Sequence, residues 1–187
     1  MKRLILITTL LFTVFAFASS ASAIGIRGAL VLSNSNLALS NGGSESTDLD
    51  LHYGIEIDAS FPINPMMEIL AGLTLYLPAS GPELASDEKV GFMPISVAAK
   101  FNIPGVGVTG MNPYAGVGLN YTTWSFEPDW FGEDATPGLG YYGFVGAAFG
   151  NLFGELGYTI MTATVFDGDL KLESRGVYVK GGMILGI

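Results

Sequence analysis

Between Leu51 and Phe61 apolar and polar residues alternate without a break. Leu51, Tyr53, Ile55, Ile57, Ala59 and Phe61 stand against His52, Gly54, Glu56, Asp58 and Ser60. A period of two held over this length predicts a β-strand with one apolar and one polar face. At about 3.3 Å per residue it is long for a soluble sheet. It suits a tilted strand crossing a membrane. The Pro62-Ile63-Asn64-Pro65 run that follows predicts a tight turn.

The pattern recurs along the chain. Met66 to Leu77 sets Ile69, Ala71, Leu73, Leu75 and Leu77 against Glu68, Gly72, Thr74 and Tyr76. Val90 to Phe101 sets Met93, Ile95, Val97, Ala99 and Phe101 against Ser96, Ala98 and Lys100. Pro113 to Phe126, Leu152 to Val165 and Arg175 to Ile187 alternate in the same way. Leu139 to Phe149 is strand-like, but both of its faces are apolar. Ile24 to Ser33 brings the number of predicted strands to eight. The connections at 34–50, 78–89, 127–138 and 166–174 are long and polar, whereas 62–65, 102–112 and 149–151 are mostly shorter and uncharged. Long loops on one side and short turns on the other predict an all-β fold: an eight-stranded antiparallel up-and-down transmembrane β-barrel. The long loops then face outward, and both termini lie on the periplasmic side.

Two rival readings are weaker. Ala135 to Gly154 is uncharged, but it is rich in glycine, and a helix cannot be mixed with open strands in lipid. A soluble barrel would turn the polar face to water, and that face is mostly Gly, Ser, Thr and Ala, with few charges. Such residues suit a narrow interior.

The amino terminus reads as a targeting segment. Lys2 and Arg3 precede the apolar run Leu4 to Ala18, and Ala21-Ser22-Ala23 supplies a small-x-small site. This predicts a secretory signal peptide over residues 1–23 and a barrel domain over 24–187. The chain has no cysteine, so the exported fold must hold without disulfides. It has 17 acidic and 8 basic residues. Loss of Lys2 and Arg3 leaves six basic residues and a net charge of 6 − 17 = −11. Nucleic acid is a poor partner for such a chain; the expected surroundings are outer-membrane lipid, with a monomer favoured.

The charges within strands share the polar face: Arg27, Lys100 and Lys180 with Glu56, Asp58, Glu68 and Glu155. A narrow lumen tolerates them when they are paired, so these seven are expected to form a network that plugs it. His52 is the only histidine. A His–carboxylate pair could serve a hydrolase, but a serine would have to come from elsewhere, because Ser60 lies at the far end of the strand. No catalytic residue, cofactor or transition-metal site is expected. Thirteen of the 17 acidic residues fall in the long loops, where carboxylate oxygens could hold divalent cations loosely. Trp130 and Phe131 in the third loop could contact a partner.

The run Asn112-Pro113-Tyr114-Ala115-Gly116-Val117-Gly118-Leu119-Asn120-Tyr121-Thr122-Thr123-Trp124 resembles the Pro-Tyr-x-Gly-x-Gly-x-Asn-Tyr-Thr-Thr-aromatic strand of OmpW-like outer-membrane proteins. Phe92 to Phe101 is similar to the strand before it in that family. The shared residues are Pro113, Tyr114, Gly116, Gly118, Asn120 and Tyr121. The glycine-rich strand also recurs in other eight-stranded families, OmpX-like proteins among them. The resemblance implies an outer-membrane location in a Gram-negative-type bacterium. It also implies a role in passing small hydrophobic molecules. The His52, Glu56 and Asp58 face departs from that family's apolar lumen.

Overall fold

The computed structural model describes residues 24–40, 44–81, 89–104, 110–127, 135–165 and 170–186. The signal-peptide segment, Trp130, Phe131 and most of the acidic loop residues lie outside these. The elements are β1 (Gly25–Ser40), β2 (Ser44–Asp48), β3 (His52–Asn64), β4 (Met67–Tyr76), β5 (Lys89–Asn102), β6 (Met111–Glu127), β7 (Thr136–Phe149), β8 (Leu152–Val165) and β9 (Leu170–Gly186). Each strand pairs antiparallel with the next in the sheet, and β1 pairs with β9 to close the ring.

Nine strands make eight staves, because β2 and β3 occupy the same side of β1. Asn36 to Ser40 pair with β2, and Gly25 to Ser33 pair with β3. A closed sheet has no open edges in the lipid. No helix among the described residues is long and apolar enough to cross a membrane. The uncharged stretch Ala135 to Gly154 instead supplies β7 and the start of β8.

The stagger can be followed residue by residue. From Ile26 the partners run Ala59, Ala71, Val97, Leu119, Tyr141, Ile160 and Arg175. They return to β1 at Asn36, ten residues above the start (36 − 26). Eight staves with this stagger give a wall radius of about 8 Å, enough for inward side chains but not for an open channel.

Several predicted boundaries are corrected. The first strand continues past Ser33 to Ser40, and the supposed loop 34–50 contains β2. Alternation persists there with two small polar residues and a leucine turned inward: Ser33, Ser35 and Leu37 are buried and Asn34 is exposed. The last strand begins at Leu170, inside the supposed loop 166–174. The turn after β3 sits at Pro65–Met66, because Pro62 to Asn64 remain in the ladder across an irregularity. Asn64 Oδ1 accepts from the Met66 backbone N–H at 2.9 Å. The β7–β8 turn is Gly150–Asn151, with Gly150 at φ 58°. Such a two-residue hairpin favours glycine at positive φ.

The outward set is as expected at most positions. Ile57 is 64% exposed, Val117 63% and Leu185 56%, and Leu73, Leu119, Val145 and Val179 are also exposed. Phe61 and Ile160 are exceptions, both buried. Each lies close to a register shift, at Pro62/Asn64 and Pro137/Tyr141 respectively. The strand with two apolar faces is now resolved: Leu139, Tyr141, Val145 and Phe149 are exposed, while Phe144 and Ala148 are buried.

Candidate functional site in the barrel lumen

The seven lumen charges fall into two groups, with Tyr114 between them. In the central group Arg27 Nη2 donates to Glu155 Oε1, and Arg27 Nε lies 3.8 Å from Asp58 Oδ2. Lys180 Nζ donates to Glu56 Oε1 and lies 2.8 Å from Glu155 Oε2 and 3.9 Å from Asp58 Oδ2. Thr74 donates to the other Glu56 oxygen at 2.9 Å. The Arg27 guanidinium sits 4.0 Å from the centre of the Phe153 ring. Arg27 is 2% exposed, Asp58 4%, Glu155 4% and Lys180 5%.

The second group lies toward the short-turn end. Lys100 Nζ is 3.0 Å from both Glu68 oxygens. Ser60 and Asn102 donate to the same carboxylate at 2.7 and 3.1 Å. Tyr114 connects the groups. Its hydroxyl donates to Glu155 Oε1 at 3.0 Å, and Lys100 Nζ stands 4.6 Å from its ring centre. Glu56 and Lys100 therefore belong to different clusters, which sequence spacing alone does not reveal.

A neutral polar layer and an aromatic layer lie further out. Asn120 donates to Thr159 Oγ1 and the Ile160 carbonyl at 3.3 Å, and accepts from Thr122 at 3.1 Å. His52 packs against Tyr76 and Phe92, with centroids 5.2 and 5.7 Å away, and Phe92 meets Trp124 edge-on at 4.8 Å. His52 Nδ1 lies 3.1 Å from the Asp50 carbonyl. Sequence spacing offers His52 no nearby hydroxyl, yet strand pairing places Ser33 directly opposite it. Ser33 directs its hydroxyl instead to the Val177 carbonyl at 3.4 Å. His52 and Ser33 are both buried, and His52 Nε2 makes no hydrogen bond. No metal-holding group of His, Asp or Glu occurs among the described residues.

The outside of the wall is the reverse of the inside. Leu30 is 70% exposed, and the strands beside it present Ile55, Ile57, Leu73, Leu75, Val179 and Met183. Such a band, wrapped around a charged interior, needs hydrocarbon and not water as its solvent. The chain is a closed eight-stranded transmembrane β-barrel. Outer membrane protein AlkL, determined in DMPC lipid bilayers by solid-state NMR, is similar in structure at a TM-score of 0.54 with 13% sequence identity. The match covers 89% of this chain and 90% of AlkL. Neisserial surface protein A is similar at a TM-score of 0.51 with 16% identity, covering 84% of this chain and 95% of that one. At these identities the likeness concerns the fold. No family model and no curated protein sequence matches the chain.

Within the barrel, the residues that carried the resemblance divide by face. Tyr114, Gly116 and Asn120 are buried in the lumen. The glycines make room for rings from β7. A Cβ on Gly116 would meet Phe144 Cζ at 2.2 Å, and one on Gly118 would meet Tyr142 Cε1 at 2.5 Å. Gly116 faces Phe144 and Gly118 faces Tyr142 in the ladder, so a bulky β7 interior requires a bare β6 interior. Pro113 and Tyr121 are partly exposed. Sequence reasoning missed Thr74 and Tyr114 as partners of the lumen carboxylates. An inward hydroxyl on a neighbouring strand is the only signal that could have found them.

Proposed function

We propose that this barrel is a passive structural or surface-interaction protein of the outer membrane whose lumen is plugged by its own side chains. The observation that carries the reading is the central cluster. Arg27, Lys180, Asp58 and Glu155 are each almost fully buried and placed against one another. Their mutual pairing offsets the cost of burying charge only while the cluster stays assembled, and the assembled cluster occupies the interior of a barrel whose wall radius is about 8 Å. The aromatic layer of His52, Tyr76, Phe92 and Trp124 supports the same reading nearer the outer mouth.

Passage of small hydrophobic molecules is the second reading. Its support is the lining of the outer lumen by Val31, Tyr76, Phe92, Trp124 and Met161, an apolar surface that a small solute could share. Lipid-modifying catalysis is a third and weaker reading, resting on His52 and Ser33 as opposite neighbours.

Planar-bilayer conductance and uptake of an apolar fluorescent probe test the choice. Wild type should be silent in both. A Glu155→Gln, Lys180→Met double variant, checked for folding by circular dichroism and heat-modifiable gel migration, should conduct. Selective probe uptake by wild type would replace the plugged reading with passage. A lipid-cleaving activity lost on His52→Ala would replace both.

A further inference from the structure

The six basic side chains beyond the targeting segment are divided evenly. Arg27, Lys100 and Lys180 are committed to the lumen, while Lys89, Lys171 and Arg175 are exposed. Lys171 and Arg175 share one face of β9. They continue the odd-numbered outward row of Val177, Val179, Met183 and Leu185, beyond the point where that row stops being apolar. Their side chains are 55% and 58% exposed. Both reach the carboxylate of Glu173 between them, Lys171 at 3.4 Å and Arg175 through Nε. The three groups together carry one surplus positive charge.

The surrounding wall supplies the rest of an interfacial site. Arg175 is paired across the ladder with Ile160, and Ile160 with Tyr141, which is 60% exposed. Tyr158, 47% exposed, is paired with Val177 one step toward the membrane. Thr164 stands opposite Lys171. Tyrosines at the edge of an apolar band mark headgroup level, so the two cations project where lipid phosphates lie. Lys89 apart, the other charged residues of the long connections are twelve carboxylates, which makes this pair of cations the exception in the sequence. Glu173 holds the two cations side by side and neutralises only one of them.

We propose that Lys171 and Arg175 form a binding site for the phosphate of an anionic outer-leaflet lipid, with an acyl chain of that lipid lying along Val177, Val179 and Tyr158. Arg175 presents a planar fork suited to phosphate, and Lys171 adds a point charge.

The full-length protein, reconstituted in phosphatidylcholine vesicles doped with phosphatidylglycerol, tests the site. Native mass spectrometry after detergent transfer reads the retained lipid. Wild type should retain phosphatidylglycerol over phosphatidylcholine, with about fivefold lost for each cation removed, as roughly 1 kcal/mol per basic residue implies. Lys171→Gln with Arg175→Gln should abolish the preference, and Glu173→Gln should increase it. All variants lie outside the lumen, and unchanged gel migration confirms that they fold. Equal retention of both lipids by wild type, or a preference that survives the double substitution, would overturn the site. Equal preference for an anionic sulfolipid would overturn its assignment to phosphate.

Discussion

Removing charge from the central cluster should have unequal consequences depending on the sign removed. Counted as ionised, the cluster holds Arg27 and Lys180 against Glu56, Asp58 and Glu155, two cations to three carboxylates. Arg27→Met leaves Lys180 alone against all three and strips Glu155 of its closest partner in a site 4% exposed. Breaking a buried pair from one side costs about 3–5 kcal/mol. Asp58→Asn instead leaves two cations and two carboxylates in a side chain of the same shape. The contacts of Asp58 to Arg27 and Lys180 are also the long ones, at 3.8 and 3.9 Å. Its loss should cost about 1 kcal/mol or less, the scale of an ordinary net hydrogen bond. Urea unfolding in phosphatidylcholine vesicles, followed by tryptophan fluorescence and by loss of the folded gel band, measures both. If Asp58→Asn lowered stability as much as Arg27→Met, the charge count would be the wrong description, and Asp58 would be the keystone of the plug.

The wall makes further predictions. Ile57→Arg, at a position 64% exposed on the lipid face, should cost roughly 2–4 kcal/mol in the same assay; a spin label at position 57 that reported water instead of lipid would reverse the assignment of faces. Gly116→Ala should cost about 1–3 kcal/mol by overpacking, because its methyl group would meet the Phe144 ring and the Ala99 carbonyl. Gly28→Ala, with nothing within 4 Å of the added methyl, should leave the unfolding midpoint almost unchanged. Equal effects of the two alanines would mean that the β6 glycines do not serve to seat the β7 rings.

Local alternation determines a great deal of this protein. The eleven residues Leu51 to Phe61 are enough to define a strand, its two faces and the lipid it requires, because side-chain direction in a strand depends only on odd and even position. The same rule places Arg27, Lys100, Lys180 and their carboxylates inside without any knowledge of their neighbours. It fails where its contrast is lost. Asn34 to Ser40 is small and polar on one side or both, so it reads as loop, yet β9 and β2 satisfy its backbone and make it strand. Leu139 to Phe149 is apolar on both sides because its inner rings fill the space left by Gly116 and Gly118. What the tertiary structure alone decides is which inward residues share a level. Closure of β1 on β9, with a stagger of ten residues, brings Arg27 to Glu155 and Lys180 to Glu56 across 128 and 124 positions of sequence. The registers of neighbouring strands separate Lys100 from Glu56 and set Ser33 opposite His52. Periodicity carries the direction of a side chain but not its height in the barrel. Height is a property of the closed ring, fixed when the last strand finds the first.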